Sequence, residues 1–381
     1  MSLTVATHSA NGRPAPVLDP RTIAAIDAEG MLGHVLELPA QLADARRRMA
    51  RSDLPDRDLR GGLLVCGMGG SAIGADLAVA VIGSRARRPI RVVRDYAPDP
   101  WIGSETLVLC ASYSGNTEET LEAFALAGEA GAPRAVLTTG GELARAAEAE
   151  GVPVLGLPAG LQPRAAVAYM LAGALEAATR CGVAPDLAAE IDPACRLLAG
   201  LAQQWRPGGH GSEPERLARR LAETTVVYGA GPTIPVAVRW KAQLNENSKL
   251  AAFCGALPEI DHNEICAWRG DGRARDIGAI FLEHPDQHPR VGRRIELTAS
   301  IVAASGASVE RVRARGRSAL ERTLSLVMLG DLVSVYRAVL DGRDPTPVDA
   351  IEGFKRRLVE DTSGAAAVQR CRQHYLTVQS V

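Results

Sequence analysis

Three hydroxyl side chains stand directly after one apolar run of the sequence. Residues 107–111 carry no charge, and Ser112, Ser114 and Thr117 follow them at the start of a predicted helix. Backbone N–H groups at a helix start favour an anion, and hydroxyl groups add hydrogen bonds to its oxygens. No lysine follows the glycine of this run, as it does in loops that hold the outer phosphates of a nucleotide. We therefore predict that residues 112–117, the hydroxyl loop, bind a single monoester phosphate.

Helix capping is the alternative explanation for the polar residues of the hydroxyl loop. Asn116 or Ser114 could cap the helix that follows, and Glu118 and Glu119 suit its first turn. Capping alone does not require three hydroxyls, so the phosphate site is the favoured interpretation.

A glycine-rich run, residues 67–74, follows another apolar segment and is called the glycine loop. Its glycines allow a ligand to approach the backbone closely, and a predicted helix begins within it. The spacing of Gly67, Gly69 and Ala72 also fits a dinucleotide-binding turn, which needs an acidic residue about 20 positions later. The nearest suitable residue, Asp95, lies 28 positions after Gly67. A nicotinamide cofactor is therefore the less favoured interpretation.

A carboxylate and an imidazole lie sixteen residues apart in the second half of the chain. Glu246 stands near the end of a predicted helix, and His262 lies in a loop that begins with Pro258. Such a pair can divide acid and base work, because different surroundings give the two groups different pKa values. The spacing alone also fits a solvated glutamate and a loop histidine.

Strands and helices alternate along both halves of the chain. Alternation of this kind predicts an α/β fold in which mainly parallel sheets are flanked by helices. The predicted strands are residues 62–66, 90–94, 106–111, 135–138, 152–155, 224–228, 277–282 and 308–312. The predicted helices cover about 21–51, 234–248, 290–304, 317–340 and 347–361, and others begin near residues 71, 116, 142 and 164.

The length of 381 residues predicts two domains, because a single hydrophobic core rarely grows beyond roughly 250 to 300 residues. Residues 1–19 are expected to form a flexible arm and residues 20–182 the first domain. Helix-breaking residues cluster near 205–212, so a linker or insert is expected at 183–216. The second domain is then residues 217–381.

The composition argues against several classes of partner. The 43 basic and 44 acidic residues give a formal charge of −1 without long runs of one sign, so neither nucleic acid nor a membrane surface is an expected partner.

The sequence shows neither a signal peptide nor an uninterrupted membrane-spanning run, which predicts a cytoplasmic protein. No cysteine stands in a Cys-x-x-Cys pair, and buried thiols in a reducing compartment are expected. The seven cysteines are Cys66, Cys110, Cys181, Cys195, Cys254, Cys266 and Cys371.

Taken together, these stretches resemble the SIS (sugar isomerase) family, and in particular its bifunctional phosphoglucose/phosphomannose isomerases. The hydroxyl loop is typical of any SIS domain, whereas its combination with the stretches around Glu246 and His262 is specific to this branch. The matching stretches, in the family's order, are residues 67–71, 112–120, 163–164, 245–249, 262–264 and 354–355.

The resemblance implies two SIS-type domains and an aldose-ketose isomerase without metal or cofactor. Its substrate would be a phosphorylated hexose: glucose 6-phosphate, mannose 6-phosphate or both would be interconverted with fructose 6-phosphate through a cis-enediol. The resemblance also implies a homodimer with a composite active site, in which the histidine comes from the partner subunit.

The resemblance further implies a role for each site residue. The phosphate would be held by Gly70, Ser71, Ser112, Ser114 and Thr117. Glu246 would be the base, His262 would assist ring opening, Arg164 would stabilise negative charge and Lys355 would complete the site. Two of these positions have simple alternatives. Arg164 could be a surface charge early in a helix, and Lys355 could belong to a solvated basic face.

Two other functions fit parts of the same pattern. A non-catalytic SIS module that senses a sugar phosphate should lack the Glu246 and His262 pair and often carries a DNA-binding helix-turn-helix, for which the N-terminal arm is neither basic nor long enough. An amidotransferase-type synthase would need an N-terminal nucleophilic cysteine and a glutaminase domain, for which the sequence offers no candidate. The isomerase is therefore the favoured function.

Overall fold

The computed structural model describes residues 18–208, 211–268, 270, 272, 274–360 and 375. Residues 1–17 of the expected arm, Cys371 and all of the tail beyond 360 except Tyr375 lie outside the described residues. The strands are β1 Gly62–Gly67, β2 Ile90–Val93, β3 Thr106–Ala111, β4 Arg134–Thr138, β5 Val154–Gly156, β6 Thr224–Ala230, β7 Ala251–Leu257, β8 Ile277–Glu283 and β9 Ser308–Arg313.

Helices connect these strands. They are α1 Pro20–Ile26, α2 Met31–Leu36, α3 Leu38–Met49, α4 Gly69–Ile82, α5 Glu118–Glu129, α6 Gly141–Ala149, α7 Val167–Arg180, α8 Ala188–Trp205, α9 Glu213–Arg220, α10 Ile234–Gln243, α11 Pro289–Ala304, α12 Ala319–Leu340 and α13 Asp349–Glu360. Two parallel sheets flanked by helices confirm the predicted α/β class.

The first sheet is parallel, with strand order β2-β1-β3-β4-β5. Its central strands β1 and β3 are wholly buried and lie side by side, with Cys66 opposite Cys110. The chain continues from these two strands toward opposite sides of the sheet. Parallel sheets bind ligands at such a switch point, outside the carboxyl ends of the strands. The glycine loop follows β1 and the hydroxyl loop follows β3, so both loops lie at this point.

The second sheet is also parallel, with strand order β7-β6-β8-β9. Strand β7 was not predicted from the sequence. Its residues are alanine, glycine, cysteine, leucine and a single phenylalanine, and none of them is β-branched. It is an edge strand whose Phe253 is 56% exposed, so burial gives no alternating pattern to recognise.

Helix α12 forms much of the core beside the second sheet. It is long and apolar enough to cross a membrane by length and composition, but it is buried within the fold. Ser318 and Glu321 cap its start reciprocally: the Glu321 N–H donates to the Ser318 hydroxyl at 3.1 Å, and the Ser318 N–H donates to the Glu321 carboxylate at 2.8 Å.

The chain forms two compact units, each built on one sheet. Among the described residues, those of 39–195 and 348–360 belong to the first-sheet unit, and those of 18–38 and 196–347 belong to the second-sheet unit. This division differs from the expected one at both ends. Helix α2 buries Met31 and Leu32 and packs on α12, so it belongs with the second sheet. Helix α13 belongs to the first-sheet unit, and α8 fills much of the expected linker.

The cysteine prediction is wrong for two of the described residues. Cys66, Cys110 and Cys181 are buried as expected and Cys195 is partly buried, but Cys254 and Cys266 are exposed. Cys254 lies on β7, at the edge of the second sheet, and Cys266 lies in the short turn that follows His262.

Candidate active site

The hydroxyl loop is closed by hydrogen bonds among its own residues. The buried Ser112 hydroxyl lies 2.8 Å from the Thr117 hydroxyl and accepts from the Gly115 N–H at 3.1 Å. Gly115 has φ +69°, and a Cβ there would stand 1.8 Å from the carbonyl oxygen of Gly140. Only glycine therefore permits this loop to fold so tightly against its neighbour.

The start of α5 carries no side-chain cap. Thr117 is the N-cap residue, and its hydroxyl bonds to Ser112 instead of to the first turn of the helix. Asn116 accepts from the Glu142 N–H at 3.0 Å, at the start of the next helix, and the exposed Ser114 hydroxyl accepts from the Asn116 N–H at 3.3 Å. The capping explanation is therefore wrong. The N–H groups of the first turn stay available for an anion.

The glycine loop brings a second helix start to the same place. Ser71 lies in the first turn of α4, and its hydroxyl accepts from the Tyr113 N–H of the hydroxyl loop at 3.1 Å. Met68, the N-cap residue of α4, also makes no side-chain cap. Because β1 and β3 are neighbours, two uncapped helix starts and the hydroxyls of both loops meet at one edge of the sheet.

Arg164 lies beside the glycine loop. It belongs to the single turn Pro163–Ala166 that precedes α7, and it is only 4% exposed. A Cβ on Gly70 would stand 2.9 Å from the Pro163 carbonyl oxygen and 3.2 Å from the Cα of Arg164. The surface-charge alternative is therefore wrong for Arg164, and the close packing explains why a glycine is needed at position 70.

Glu246 lies in the second-sheet unit, in a π-helical turn over Leu244–Ser248. The Asn247 amide donates to the Ser334 hydroxyl at 2.9 Å, and the Ser248 hydroxyl donates to the Ser334 carbonyl at 2.7 Å. Both bonds fasten the turn to the buried helix α12. The neighbours of Glu246 thus fix its backbone, and turns of this kind recur at functional sites.

His262 is exposed at the end of the short helical turn Glu259–His262, which follows β7. The preceding residue, Asp261, fastens this turn to α11. Its carboxylate accepts from the Arg294 guanidinium at 3.0 Å and from the Thr298 hydroxyl at 2.8 Å.

Glu264 fastens the other side of the His262 turn. Its carboxylate accepts a hydrogen bond from the hydroxyl of Tyr228, which in turn accepts from the Trp268 indole N–H at 3.1 Å. Burial, together with the bond to Glu264, raises the pKa of Tyr228 and keeps its hydroxyl protonated as a donor. The imidazole of His262 is therefore presented at the surface by a firmly held backbone.

Comparison with known proteins covers most of the chain. Residues 211–358 match the model of the bacterial phospho-glucose isomerase C-terminal SIS domain. The bifunctional phosphoglucose/phosphomannose isomerase of Caldicellulosiruptor bescii is 36% identical in an alignment of 305 residues that covers 78% of this chain and 89% of that protein. Its namesake from Aquifex aeolicus is 36% identical over 300 residues, 78% of this chain and 90% of that protein.

The chain belongs to the bifunctional phosphoglucose/phosphomannose isomerase family. The relatives confirm both the resemblance to this family and the prediction of an isomerase.

Solved structures confirm the SIS-type fold of this isomerase family member. The C-terminal domain of glucosamine-fructose-6-phosphate aminotransferase from Francisella tularensis superposes with a TM-score of 0.66 at 15% identity, covering 83% of this chain and 98% of that one. A hypothetical protein from Thermus thermophilus gives a TM-score of 0.67 at 17% identity, covering 89% of this chain and 92% of that one. At these identities the likeness concerns the fold alone.

The structure does not bring Glu246 and His262 of one isomerase chain together. Glu246 precedes the amino end of β7, and His262 follows its carboxyl end. The seven residues of β7 span roughly 20 Å at the usual rise of a strand. Glu246 and His262 are only sixteen residues apart in the sequence because they lie in the two turns that flank one strand.

Lys355 lies on α13 in the first-sheet unit, where it is exposed together with Arg356 and Arg357. In the single chain Lys355 is therefore part of a solvated basic face, as the alternative explanation expected. Within the described part of the chain, no group of three or more His, Cys, Asp or Glu side chains is placed to hold a metal.

Sequence reasoning missed the residues that position the site. These residues are Asn247, Asp261 and Glu264, whose hydrogen-bond partners on α12, α11 and β6 are distant in the sequence. The sequence shows only that the three are polar and lie within two positions of Glu246 or His262.

Proposed function

We propose that this chain interconverts glucose 6-phosphate, mannose 6-phosphate or both with fructose 6-phosphate through a cis-enediol. The observation that carries the proposal is the meeting of two uncapped helix starts, with the hydroxyls of Ser71, Ser112 and Thr117, beside the buried Arg164. The names of the relatives support the same substrates. A non-catalytic sensor is not supported by them.

The phosphate group would be bound by both loops. The backbone at Gly70 and the hydroxyls of the two loops would donate to its oxygens, and the first turns of α4 and α5 would add N–H groups and the field of the helix dipoles. The residues assigned to this role are Gly70, Ser71, Ser112, Ser114 and Thr117.

Isomerisation would then need proton transfers alone. The cyclic sugar must open before the proton on C2 becomes acidic, and His262, assisted by Lys355, would move the proton between the ring oxygen and the anomeric hydroxyl. Glu246 would take the C2 proton and return it to C1, while the proton of the C2 hydroxyl passes to the oxygen on C1. Arg164 would stabilise the negative charge that develops on the enediolate oxygen. These steps require neither a metal nor a cofactor.

A composite site in a homodimer completes the proposal. Glu246 and His262 lie at opposite ends of β7, roughly 20 Å apart. The carbon skeleton of a hexose is much shorter than this distance, so the two side chains of a single chain cannot act on the same sugar. A two-fold dimer would supply His262 from the partner to each site.

The cytosol is the proposed location. The described cysteines are free thiols, as expected in a reducing compartment. The reaction would serve glycolysis and gluconeogenesis there, without a nucleic-acid or membrane partner.

The assay of this proposal measures fructose 6-phosphate formed from glucose 6-phosphate and, separately, from mannose 6-phosphate, with a metal chelator present. We expect turnover of at least one hexose phosphate that the chelator does not reduce. Product from neither substrate would refute the isomerase, and activity that the chelator abolishes would refute the metal-free mechanism.

A further inference from the structure

Tyr113 is a buried tyrosine of the hydroxyl loop that the proposed steps do not use. It is 6% exposed. Its backbone N–H donates to the Ser71 hydroxyl at 3.1 Å, and its carbonyl accepts from the Thr139 N–H at 3.0 Å and from the Thr139 hydroxyl at 2.8 Å. The main chain of Tyr113 therefore ties the hydroxyl loop to the glycine loop and to the end of β4.

The side chain of Tyr113 makes a separate connection. Its hydroxyl donates to the Pro158 carbonyl at 2.8 Å and accepts from the Leu161 N–H at 3.0 Å. Both partners belong to residues 157–164, the arginine loop, which runs from the end of β5 to the turn that carries Arg164. The exposed Gly160 lies between them with φ +97°. One hydroxyl thus bridges both sides of a bend.

The arginine loop is held from two directions. On one side the Tyr113 hydroxyl fixes the backbone at Leu161, three residues before Arg164. On the other side the backbone of Gly70 packs against Pro163. Burial raises the pKa of Tyr113, so the hydroxyl keeps the proton that it donates to Pro158.

We infer that Tyr113 is a positioning residue, whose hydroxyl sets the place of Arg164 relative to the phosphate held by the two loops. This inference rests on the proposed function, in which Arg164 stabilises the enediolate. The hydroxyl touches neither the phosphate-binding hydroxyls nor the backbone groups of the helix starts. Its loss should therefore affect the chemical step and leave phosphate binding unchanged.

The direct test is Tyr113→Phe, which removes one oxygen and keeps the ring and both backbone connections. We expect kcat to fall about 10- to 100-fold, because small misplacements of a stabilising group are costly. KM and the inhibition constant of inorganic phosphate should stay within about twofold of the wild type, since a group that acts in the transition state alone does not change ground-state binding.

A double-mutant cycle with Arg164→Lys separates positioning from general damage. If Tyr113 acts through Arg164, the Tyr113→Phe change should cost less than about threefold when Arg164 is already replaced, because coupled residues give non-additive losses. The matched control is Tyr336→Phe. It removes the hydroxyl of another buried tyrosine, which donates to the Trp205 carbonyl at 2.6 Å, and should leave kcat unchanged.

Hydrogen exchange provides a second measurement that does not depend on activity. In Tyr113→Phe, peptides covering residues 157–164 should exchange faster, whereas the rest of the first-sheet unit should match the wild type. Equal losses of kcat in both backgrounds, weaker phosphate inhibition, or faster exchange throughout the chain would each overturn the positioning role. A wild-type chain that isomerises neither hexose phosphate would instead refute the proposed function.

Discussion

Glu246 is a half-buried carboxylate whose backbone is fixed by hydrogen bonds of its neighbours to α12. In Glu246→Gln the shape of the side chain is kept, but the amide cannot accept the C2 proton. We expect turnover to fall by about 10² to 10⁴, the usual loss on removing a positioned base, with substrate binding nearly intact. Exchange of tritium from solvent into C2 of the substrate measures this step directly.

The control for this variant is Glu296→Gln, which neutralises an exposed glutamate on α11. It should exchange tritium at the wild-type rate. Undiminished exchange in Glu246→Gln would remove Glu246 from the role of base.

Ser114 and Thr117 present hydroxyls at the start of α5, and the phosphate group is common to both hexose phosphates. Replacing both by alanine should therefore weaken binding of the two substrates alike. Each lost hydrogen bond to a charged partner is worth roughly 1.5 to 3 kcal/mol. Calorimetric titration of the double variant with each hexose phosphate gives the loss.

Ser300→Ala is a suitable control for this double variant, because it removes an exposed hydroxyl that bonds to its own helix. Normal phosphate affinity in the Ser114→Ala, Thr117→Ala protein, or a loss confined to one epimer, would contradict the phosphate assignment.

At the scale of elements, the hydroxyl loop depends on its close approach to the start of α6. Gly115 and Gly131 share φ +69°, but a Cβ would clash with the Gly140 carbonyl at position 115 and would meet no atom within 4 Å at position 131. Gly131→Ala should therefore cost only about 1 kcal/mol of stability, the penalty of a left-handed alanine.

Gly115→Ala carries the same penalty and must also displace the loop. We expect inorganic phosphate to inhibit it at least about tenfold more weakly than Gly131→Ala, because the hydroxyls and the helix N–H groups no longer converge. Urea unfolding and inhibition assays on both variants check this difference. Equal inhibition of the two variants would show that the loop geometry does not govern phosphate binding.

The sequence predicted strands and helices well where the residue types indicate whether a segment is buried or exposed. The apolar strands β1 and β3 and the helix starts after them were located because buried parallel strands form continuous apolar runs. Strand β7 was missed because its small, unbranched residues carry little β signal. The division of the terminal helices between the units also escaped prediction, since helix α2 packs on α12, which lies far away in the sequence.

For the candidate site, residue types and family resemblance led to the proposal of the loop hydroxyls, Arg164, Glu246 and His262. They gave no indication of the hydrogen bonds that hold these residues in place. The hydroxyl of Tyr113 and the carboxylate of Asp261 act through partners that only the folded chain brings near.

In the dimeric molecule that we propose, the base and the ring-opening acid of each active site come from two copies of the chain. The structure separates Glu246 and His262 by the length of β7, roughly 20 Å at the usual rise of a strand. Each site of a two-fold dimer would then combine Glu246 of one protomer with His262 of its partner.

Mixing two inactive variants, Glu246→Gln and His262→Ala, tests whether the active site is shared between two subunits. In a mixed dimer one site keeps both residues and the other keeps neither, so random exchange of subunits at equal amounts should restore about a quarter of the wild-type activity. Isomerase activity is measured against the mixing ratio, and mass-tagged subunits confirm the exchange. Activity that rises to a maximum near equal mixing is the predicted result. Complete exchange without any recovery of activity would contradict the composite site.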